Sequence, residues 1–502
     1  MVSRRSFLRA SGVAASLGTA AGAHPALAAR STTPRAPRAA RLPAGAPSRI
    51  IHMVADGMSL GTLSCADQLS RFERHRGLAW LELVNHPEAR TALMDMRSLD
   101  SLVTDSAAAS SSWGSGSRVR NGTINVDSRN EPLLPIHPLF GQAGWKRGLV
   151  TTTEITHATP AGFTVSVKNR DDGDGIAAQY LSRRVEVMLG GAGNHFNPAK
   201  RKDHRDLWAE FAAAGYQVVR TRNELRDAPT DRPWLGTFTE GHLPYSIDHA
   251  ASDSLRTTVP TLPEMTERAL AHLGRHDRFL LQIEGGRVDH ACHNNDAAAA
   301  LRDLLVLDET LSLVLRFQRR HPETLVVVTT DHGNANLGLN GMGTSYRESS
   351  QRFHNLAGVR ASFPEIIKVL KTVRTEAEAI ALVADFTGYK PEPAKIALLL
   401  PFMDSKGKAL FEQMNSDVAA LGQILANHLG IGFTGTTHTS DYVPVVAIGP
   451  GSDRFRGMIR NTDIFRIYTD LAGIDHRNPE EPLLASADVA PEVEDIASYS
   501  LA

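Results

Sequence analysis

Apolar runs of strand length alternate with stretches of helical periodicity over most of this chain. The strand-like runs occupy residues 48–55, 148–153, 278–284, 325–330 and 443–449. Because consecutive apolar residues stand within these runs, as in Leu325-Val-Val-Val, they are typical of strands buried on both faces of a sheet. The pattern predicts an α/β fold in which a central, mostly parallel sheet is sandwiched by helices, within a main domain spanning residues 49–475.

The alternation stops between about residues 340 and 429. Within this segment, residues 362–371 and 417–429 carry apolar side chains at helical spacing. We therefore expect a mainly helical insertion that covers one edge of the sheet and shapes either access to that edge or a homodimer contact. Residues 476–502 are acidic and contain prolines, and they predict a surface-hugging or disordered tail.

The N-terminus has the character of a targeting segment. Residues 3–9, with Arg4 and Arg5 at their centre, resemble a twin-arginine signal, and an A-x-A cleavage site follows at 26–28. The apolar stretch between them is too short and too weakly apolar for a membrane anchor. We predict a signal peptide over 1–29, a Pro/Ala/Arg linker over 30–48, and a periplasmic or secreted protein. An ordinary amphipathic helix is the alternative.

Composition narrows the choice of partners. Among 502 residues the formal net charge is −1, with no basic block in the body of the chain, which argues against nucleic acid as a partner. Cys65 and Cys292 are the only cysteines, and neither has the spacing of a zinc finger. Two buried free thiols are expected.

Carboxylates and imidazoles stand at the ends of three of the predicted strands. Asp289 and His293 are four residues apart and would lie on one face of a helix. Mixed sets of this kind suit zinc, with magnesium where oxygen ligands dominate. Helix caps and satisfied core residues explain any one position equally well, but not the whole set, which is Asp56, Glu284, Asp289, His293, Asp331 and His332.

Ser106 precedes a run of small, helix-prone residues. A serine at a helix N-terminus lies among unpaired N–H groups and at the positive end of the helix dipole, which suits a phosphate group. Ser106 or Thr104 as a simple N-cap is the alternative. Beside a metal cluster, the interpretation of Ser106 as a nucleophile is favoured.

Six short motifs together resemble the alkaline phosphatases, from about Ile50 to Leu471. In chain order they are Val-Ala-Asp56-Gly-Met, Thr-Asp105-Ser106-Ala-Ala, His157-Ala-Thr159-Pro, Glu284-Gly-Gly-Arg-Val-Asp289-His290 through His293, Thr-Asp331-His332-Gly and Thr437-His438-Thr. The resemblance implies a zinc-dependent phosphatase that hydrolyses small phosphate monoesters through a phosphoserine intermediate on Ser106.

The resemblance also implies a set of ligands. A first zinc ion would be held by Asp289, His293 and His438, and a second by Asp56, Asp331, His332 and the Ser106 oxygen. A third ion, magnesium or a third zinc, would share Asp56 with Glu284, Thr159 and His157. Nitrogen from His157 tilts this third site toward zinc. Arg170 would hold the substrate phosphate, and His290 would act through a water or a hydrogen bond rather than by binding metal.

Two rival interpretations stay open at this point. A phosphodiesterase or sulfatase of the same superfamily would share the paired-metal strands, although the Cys/Ser-x-Pro-x-Arg context of sulfatases is missing around Ser106. A non-catalytic zinc-binding protein on a degenerate frame would be expected to lack at least one ligand or the nucleophile. None of these residues is missing here.

Overall fold

A computed structural model of the chain describes residues 42–343, 345–403 and 416–483. The predicted signal peptide, residues 30–41 of the predicted linker and the tail beyond residue 483 lie outside these residues. In the described residues there are fourteen strands: β1 (Arg49–Ala55), β2 (Arg90–Asp95), β3 (Lys146–Glu154), β4 (Val187–Gly191), β5 (Gln217–Val219), β6 (Trp234–Thr237), β7 (Phe279–Gly285), β8 (Thr324–Thr329), β9 (Gly333–Asn334), β10 (Gly338–Leu339), β11 (Ile431–Gly432), β12 (His438–Thr439), β13 (Val443–Ile448) and β14 (Gly457–Arg460).

Ten of these strands form one sheet in the order β14-β2-β13-β8-β1-β7-β3-β4-β6-β5. All neighbouring pairs are parallel except those made by β13, which runs antiparallel to both β2 and β8. The predicted mostly parallel sheet between helices is therefore confirmed. In register, Val54 of β1 lies opposite Glu284 of β7 and Thr329 of β8, so these three central strands end at the same edge.

Nineteen α-helices surround the sheets in the described residues. They are α1 (Leu60–Arg74), α2 (Ala79–Val84), α3 (Ser106–Ser115), α4 (Ile136–Gln142), α5 (Ala158–Gly162), α6 (Gly173–Arg183), α7 (Leu207–Ala213), α8 (Arg222–Asp227), α9 (Ser246–Ala251), α10 (Asp253–Thr258), α11 (Leu262–Leu273), α12 (Arg287–His293), α13 (Ala297–Arg320), α14 (Tyr346–Phe353), α15 (Phe363–Leu370), α16 (Glu376–Thr387), α17 (Pro393–Met403), α18 (Asp417–Leu429) and α19 (Asp463–Leu471).

The two faces of the large sheet pack into two separate hydrophobic cores. Alternate residues of β1 show the division, since Ile51 and Met53 belong to one core and Ile50 and Val54 to the other. Successive side chains of a strand point to opposite faces, so a strand apolar at every position serves both layers. This burial explains why the strand-like runs of the sequence lack polar alternation.

Helices α14 to α18 lie in the segment for which a mainly helical insertion is predicted. The two ends of the segment lie next to each other, because β10, which precedes it, pairs antiparallel with β11, which follows it, with Gly338 opposite Gly432. It also contacts the start of α13, where Asp296 accepts a 2.6 Å hydrogen bond from the backbone N–H of Phe363. Gly422 of α18 packs closely against the backbone of Asn295, because a Cβ added to Gly422 would lie 2.5 Å from the carbonyl oxygen of Asn295.

Both cysteines are buried and free, as expected from the sequence. Burial raises the pKa of the Cys65 thiol to about 11, and it also raises the pKa of Cys292. Neither thiol is therefore poised to ionise near neutral pH. Within the part of the chain that the structure describes, no helix combines the length and the apolar character needed to cross a membrane.

Candidate active site

Three groups of possible metal ligands converge where the central strands end. Each group brings its ligand atoms within 4.8 Å of one another. The groups are Asp289, His293 and His438 (the first cluster), Asp56, Asp331 and His332 (the second cluster), and Asp56, His157 and Glu284 (the third cluster). In parallel sheets, ligands characteristically lie just beyond the carboxyl ends of the strands.

The first cluster joins helix α12 to strand β12. Nε2 of His293 lies 3.2 Å from Oδ2 of Asp289 and 3.1 Å from Nε2 of His438. Each imidazole also faces a backbone carbonyl through Nδ1: His293 at 2.5 Å from Thr436 O, and His438 at 2.9 Å from Thr104 O. A carbonyl only accepts, so both Nδ1 atoms carry the proton, and in the neutral rings both Nε2 atoms carry a lone pair.

Two lone pairs that face each other at this distance repel unless a cation lies between them. Ligand atoms of a tetrahedral zinc ion are separated by about 3.3 Å when the bonds are about 2.0 Å long. The 3.1 Å between Nε2 of His293 and Nε2 of His438 is close to that spacing. The donors of the first cluster therefore fit zinc.

The second cluster lies beneath the N-terminus of α3. Nε2 of His332 is 3.1 Å from Oδ2 of Asp331 and 3.6 Å from Oδ1 of Asp56. The other carboxylate oxygen of Asp331 accepts hydrogen bonds from the backbone N–H groups of Gly57 and His332, which fixes its orientation. The hydroxyl of Ser106 lies 3.1 Å from Nε2 of His332, so the predicted nucleophile borders this cluster.

The third cluster combines two carboxylates with one imidazole. Nδ1 of His157 lies 3.9 Å from Oε1 of Glu284. The second oxygen of Glu284 is occupied, because Thr151 donates a 2.5 Å hydrogen bond to Oε2. The hydroxyl of Thr159 is buried and has no hydrogen-bond partner among the described residues, which is compatible with its predicted role as a ligand.

The charge of the three clusters also calls for cations. Neither carboxylate oxygen of Asp56 has a hydrogen-bond partner within the described ranges, although the side chain is fully buried. Burial and the neighbouring carboxylates of Asp331, Asp289 and Glu284 raise the pKa of Asp56 well above its usual range. Buried charges in proteins are normally paired or coordinate metals, so the residues present fit bound ions.

Ser106 and Arg170 are linked through Asp105. Ser106 is the first residue of α3, and Asp105 caps this helix by accepting a 2.8 Å hydrogen bond from the N–H of Ala108. The other oxygen of Asp105 accepts a 3.0 Å hydrogen bond from Nη1 of Arg170. Nη2 of the same guanidinium lies 3.3 Å from Nε2 of His157. The predicted phosphate-binding arginine is thus held beside both the nucleophile and the third cluster.

His290 belongs to none of the three clusters. Its ring centroid is 5.5 Å from that of His157 and 4.4 Å from that of His242. His242, whose ring also lies 5.7 Å from His157, was not predicted as a site residue from the sequence. Arg287 was not predicted either, although the spacing of three residues between Arg287 and His290 on one helix is visible in the sequence.

Comparison with known proteins places this arrangement in a family. A profile described as "Alkaline phosphatase" matches residues 48–474. The chain belongs to the alkaline phosphatase family, whose members depend on metal ions. The alkaline phosphatase of Thermus thermophilus superimposes with a TM-score of 0.82 at 36% identity, covering 87% of this chain and 93% of that one.

Two curated relatives are similar in sequence. Alkaline phosphatase 4 of Bacillus subtilis is 30% identical over 378 residues, which is 73% of this chain and 76% of the relative. Streptomycin-6-phosphate phosphatase of Streptomyces griseus is 31% identical over 349 residues, covering 61% of this chain and 78% of the relative.

Proposed function

We propose that this chain is a phosphomonoesterase that hydrolyses small phosphate monoesters through a phosphoserine intermediate on Ser106. The observation that carries the proposal is the position of the Ser106 hydroxyl. It lies 3.1 Å from Nε2 of His332, at the N-terminus of a ten-residue helix and beside two ligand clusters that share Asp56. A serine in that position meets both the helix dipole and the charge that the clusters would hold.

The donor sets support zinc in the first and second clusters and magnesium, or a third zinc, in the third. The first and second clusters contain imidazole nitrogen beside carboxylates, which suits zinc. The third has two carboxylates and one imidazole, with the Thr159 hydroxyl beside it. When bound, such ions supply Lewis-acid charge that lowers the pKa of the attacking hydroxyl and stabilises the leaving oxygen.

The residues of the chain then carry the two displacements. Oγ of Ser106 loses its proton to solvent and forms a bond to phosphorus while the bond from phosphorus to the leaving oxygen breaks, and the alcohol departs with a proton taken from solvent. A water molecule next attacks the phosphoserine, releasing inorganic phosphate and restoring the serine. Asp105 keeps Ser106 at the start of α3 through its capping hydrogen bond to Ala108.

Arg170 supports the choice of monoesters over diesters. A guanidinium offers parallel N–H groups that match two oxygens of one phosphate. A monoester presents more unesterified oxygens than a diester, so it can use this fork more fully. The side chain of Arg170 is only 9% exposed and is oriented by Asp105, which limits the ordering that substrate binding requires.

Acid-quenched labelling tests the covalent step. The metal-loaded enzyme is mixed with a ³²P-labelled monoester, quenched in acid within one turnover, and digested for peptide mapping. We expect label on the peptide that contains Ser106 and none on the same peptide of Ser106→Ala. Full monoesterase activity without any label on Ser106 would contradict the proposal.

We also propose export by the twin-arginine route, which the N-terminal sequence supports through Arg4 and Arg5. The test is the distribution of activity between periplasm, medium and cytoplasm. Replacing both arginines by lysine should retain the enzyme in the cytoplasm, whereas unchanged export of that variant would contradict the route.

A further inference from the structure

Helix α12 presents two functional faces within only seven residues. Asp289 and His293 contribute to the first cluster, while His290 is directed to the side of His157 and His242. His157 in turn lies 3.3 Å from the guanidinium of Arg170. His290 therefore stands next to the region where the proposed function places the phosphate.

Arg287 contacts His290 directly. Its Nη1 lies 2.5 Å from Nδ1 of His290, three residues further along the helix. A guanidinium carries five donors and no acceptor, so Nδ1 of His290 has to accept this hydrogen bond. An imidazole that accepts at Nδ1 carries its proton on Nε2. The contact thus selects one of the two tautomers of His290 and excludes the doubly protonated ring.

The guanidinium of Arg287 is itself held in place. Its central carbon lies 3.9 Å from the ring centroid of Tyr245, a geometry typical of cation–π contact. Tyr245 is buried, and its hydroxyl accepts a 3.2 Å hydrogen bond from Asn294 at the end of α12. The backbone N–H of Arg287 also donates to Thr152. An arginine packed in this way holds both the position of its positive charge and the direction of the N–H group that points at His290.

The tautomer of the neighbouring His242 is restrained by a hydrogen bond in the same way. Its Nδ1 accepts a 3.0 Å hydrogen bond from the backbone N–H of Glu154, so a neutral His242 likewise carries its proton on Nε2. Its ring packs against His290 at a centroid distance of 4.4 Å. His290 is therefore restrained by Arg287 at Nδ1 and by His242 on its ring.

We propose that Arg287 is a positioning residue that holds His290 with its proton on Nε2, so that this N–H donates to an oxygen of the bound phosphate or to a water that bridges to it. The inference rests on the proposed phosphomonoesterase function. It assigns a role to an arginine that contacts neither the metal clusters nor the nucleophile.

The first measurement reads the tautomer. The ¹⁵N resonances of the His290 ring, identified by their loss in His290→Gln, are recorded in the zinc- and magnesium-loaded protein. We expect the Nε2-protonated tautomer in the wild type and a mixture of tautomers in Arg287→Met, which lacks the donor but keeps an apolar stem against Tyr245. A wild-type ring protonated on Nδ1, or a tautomer unchanged by Arg287→Met, would overturn the proposal.

The second measurement reads inorganic phosphate binding by titration calorimetry of the same loaded proteins. Loss of one hydrogen bond to a charged group corresponds to roughly a tenfold or greater loss of affinity, so Arg287→Met should weaken phosphate binding by about 10-fold. In a His290→Gln background the same substitution should add little, because the arginine acts through the histidine. Equal weakening in both backgrounds would overturn the positioning role.

Arg268→Met is the matched control. The guanidinium of Arg268 also lies over an aromatic ring, 5.2 Å from the centroid of Trp234, and it donates to the carbonyls of Leu225 and Ala228 instead of to the site. This variant should lose stability without changing phosphate affinity, and an equal loss of affinity would overturn the proposal. A wild-type protein that neither binds phosphate nor hydrolyses monoesters would defeat the proposed function, while the tautomer measurement would still decide the role of Arg287.

Discussion

The hydroxyl of Thr151 donates a 2.5 Å hydrogen bond to Oε2 of Glu284, so that only Oε1 of this carboxylate is left to face His157 and Asp56. Thr153 supports the same hydroxyl, since the two Oγ1 atoms lie 2.7 Å apart. Contacts of this kind orient a metal ligand from behind and are a determinant of metal affinity. The third cluster therefore depends on a threonine that does not itself face it.

Thr151→Val should weaken magnesium binding at the third cluster by roughly 10–100-fold, because it removes the donor but keeps the shape of the side chain. Magnesium titration of zinc-loaded protein measures the change. Thr310→Val is the matched control, since the buried Thr310 hydroxyl donates only to a helix carbonyl, that of Val306. Magnesium affinity that falls equally in both variants would contradict the role of Thr151.

Ser106→Ala should lower monoester turnover by on the order of 10³-fold or more while leaving the melting temperature nearly unchanged, because the capping group is Asp105 rather than Ser106. Steady-state kinetics on metal-loaded protein measures the loss. Ser112→Ala, on the same helix with its hydroxyl bonded to the carbonyl of Ala108, should stay active. Turnover of the Ser106 variant close to that of the wild type would show that another group is the nucleophile.

Removal of metal by a chelator should abolish activity and lower the melting temperature, and zinc with magnesium should restore both. An ion that binds only the native state stabilises it by mass action. The loss leaves Asp56 buried beside Asp331 and Glu284 without a countercharge. Calorimetry and activity on the same samples provide the check, and an apoprotein as active as the loaded one would contradict the metal assignment.

Arg170→Ala should reduce monoesterase activity more than any diesterase activity of the same preparation. Each lost charge-assisted contact is worth about 1.5–3 kcal/mol. A monoester has more unesterified oxygens than a diester, so it can make more of these contacts with Arg170 and loses more of them in the variant. The ratio kcat/KM for one monoester and one diester, in wild type and variant, gives the comparison. If the diester rate falls as far as the monoester rate, the phosphodiesterase alternative is favoured.

The stability of the fold should fall as pH rises through neutrality because of Asp303. Burial raises the pKa of Asp303 to about 7, so the folded state holds a proton that the unfolded state has released above its ordinary pKa. This contribution is fully present below the unfolded pKa and is lost as pH rises through about 7. Between pH 5 and 7, the free energy of unfolding of the wild type should therefore fall with pH more steeply than that of Asp303→Asn. The difference between the two slopes should be up to about 1.4 kcal/mol per pH unit. Parallel slopes in denaturant titrations of both proteins would contradict this.

The sequence predicted the sheet and the placement of ligands at its edge because both depend on local pattern. An uninterrupted apolar run such as 325–328 marks a strand buried on both faces, and the residues that follow it reach the strand end. The antiparallel direction of β13 was not predictable in this way. Its run, Val443–Ile448, is as apolar as the parallel strands at the centre of the sheet, and the direction of a strand depends on the connections around it.

His242 was missed for a related reason. It stands alone in the loop between β6 and α9, with no neighbouring ligand residue to mark it, and only the folded chain brings its ring to His157 and His290. Arg287, by contrast, lay inside a recognised motif. Its partner at three residues' distance could have been inferred from helical spacing, but not the stacking on Tyr245, which comes from a separate part of the chain.

Asp56 belongs to both the second and the third cluster, and this sharing has a consequence for how the protein is assembled. Two binding events that draw on one carboxylate are thermodynamically linked, so filling either site changes the affinity of the other by the same factor. The free concentrations of the ions available to the two sites thus together set the composition of the mature centre. Metal binding at either of the two neighbouring sites therefore depends on the other, because both use the same aspartate.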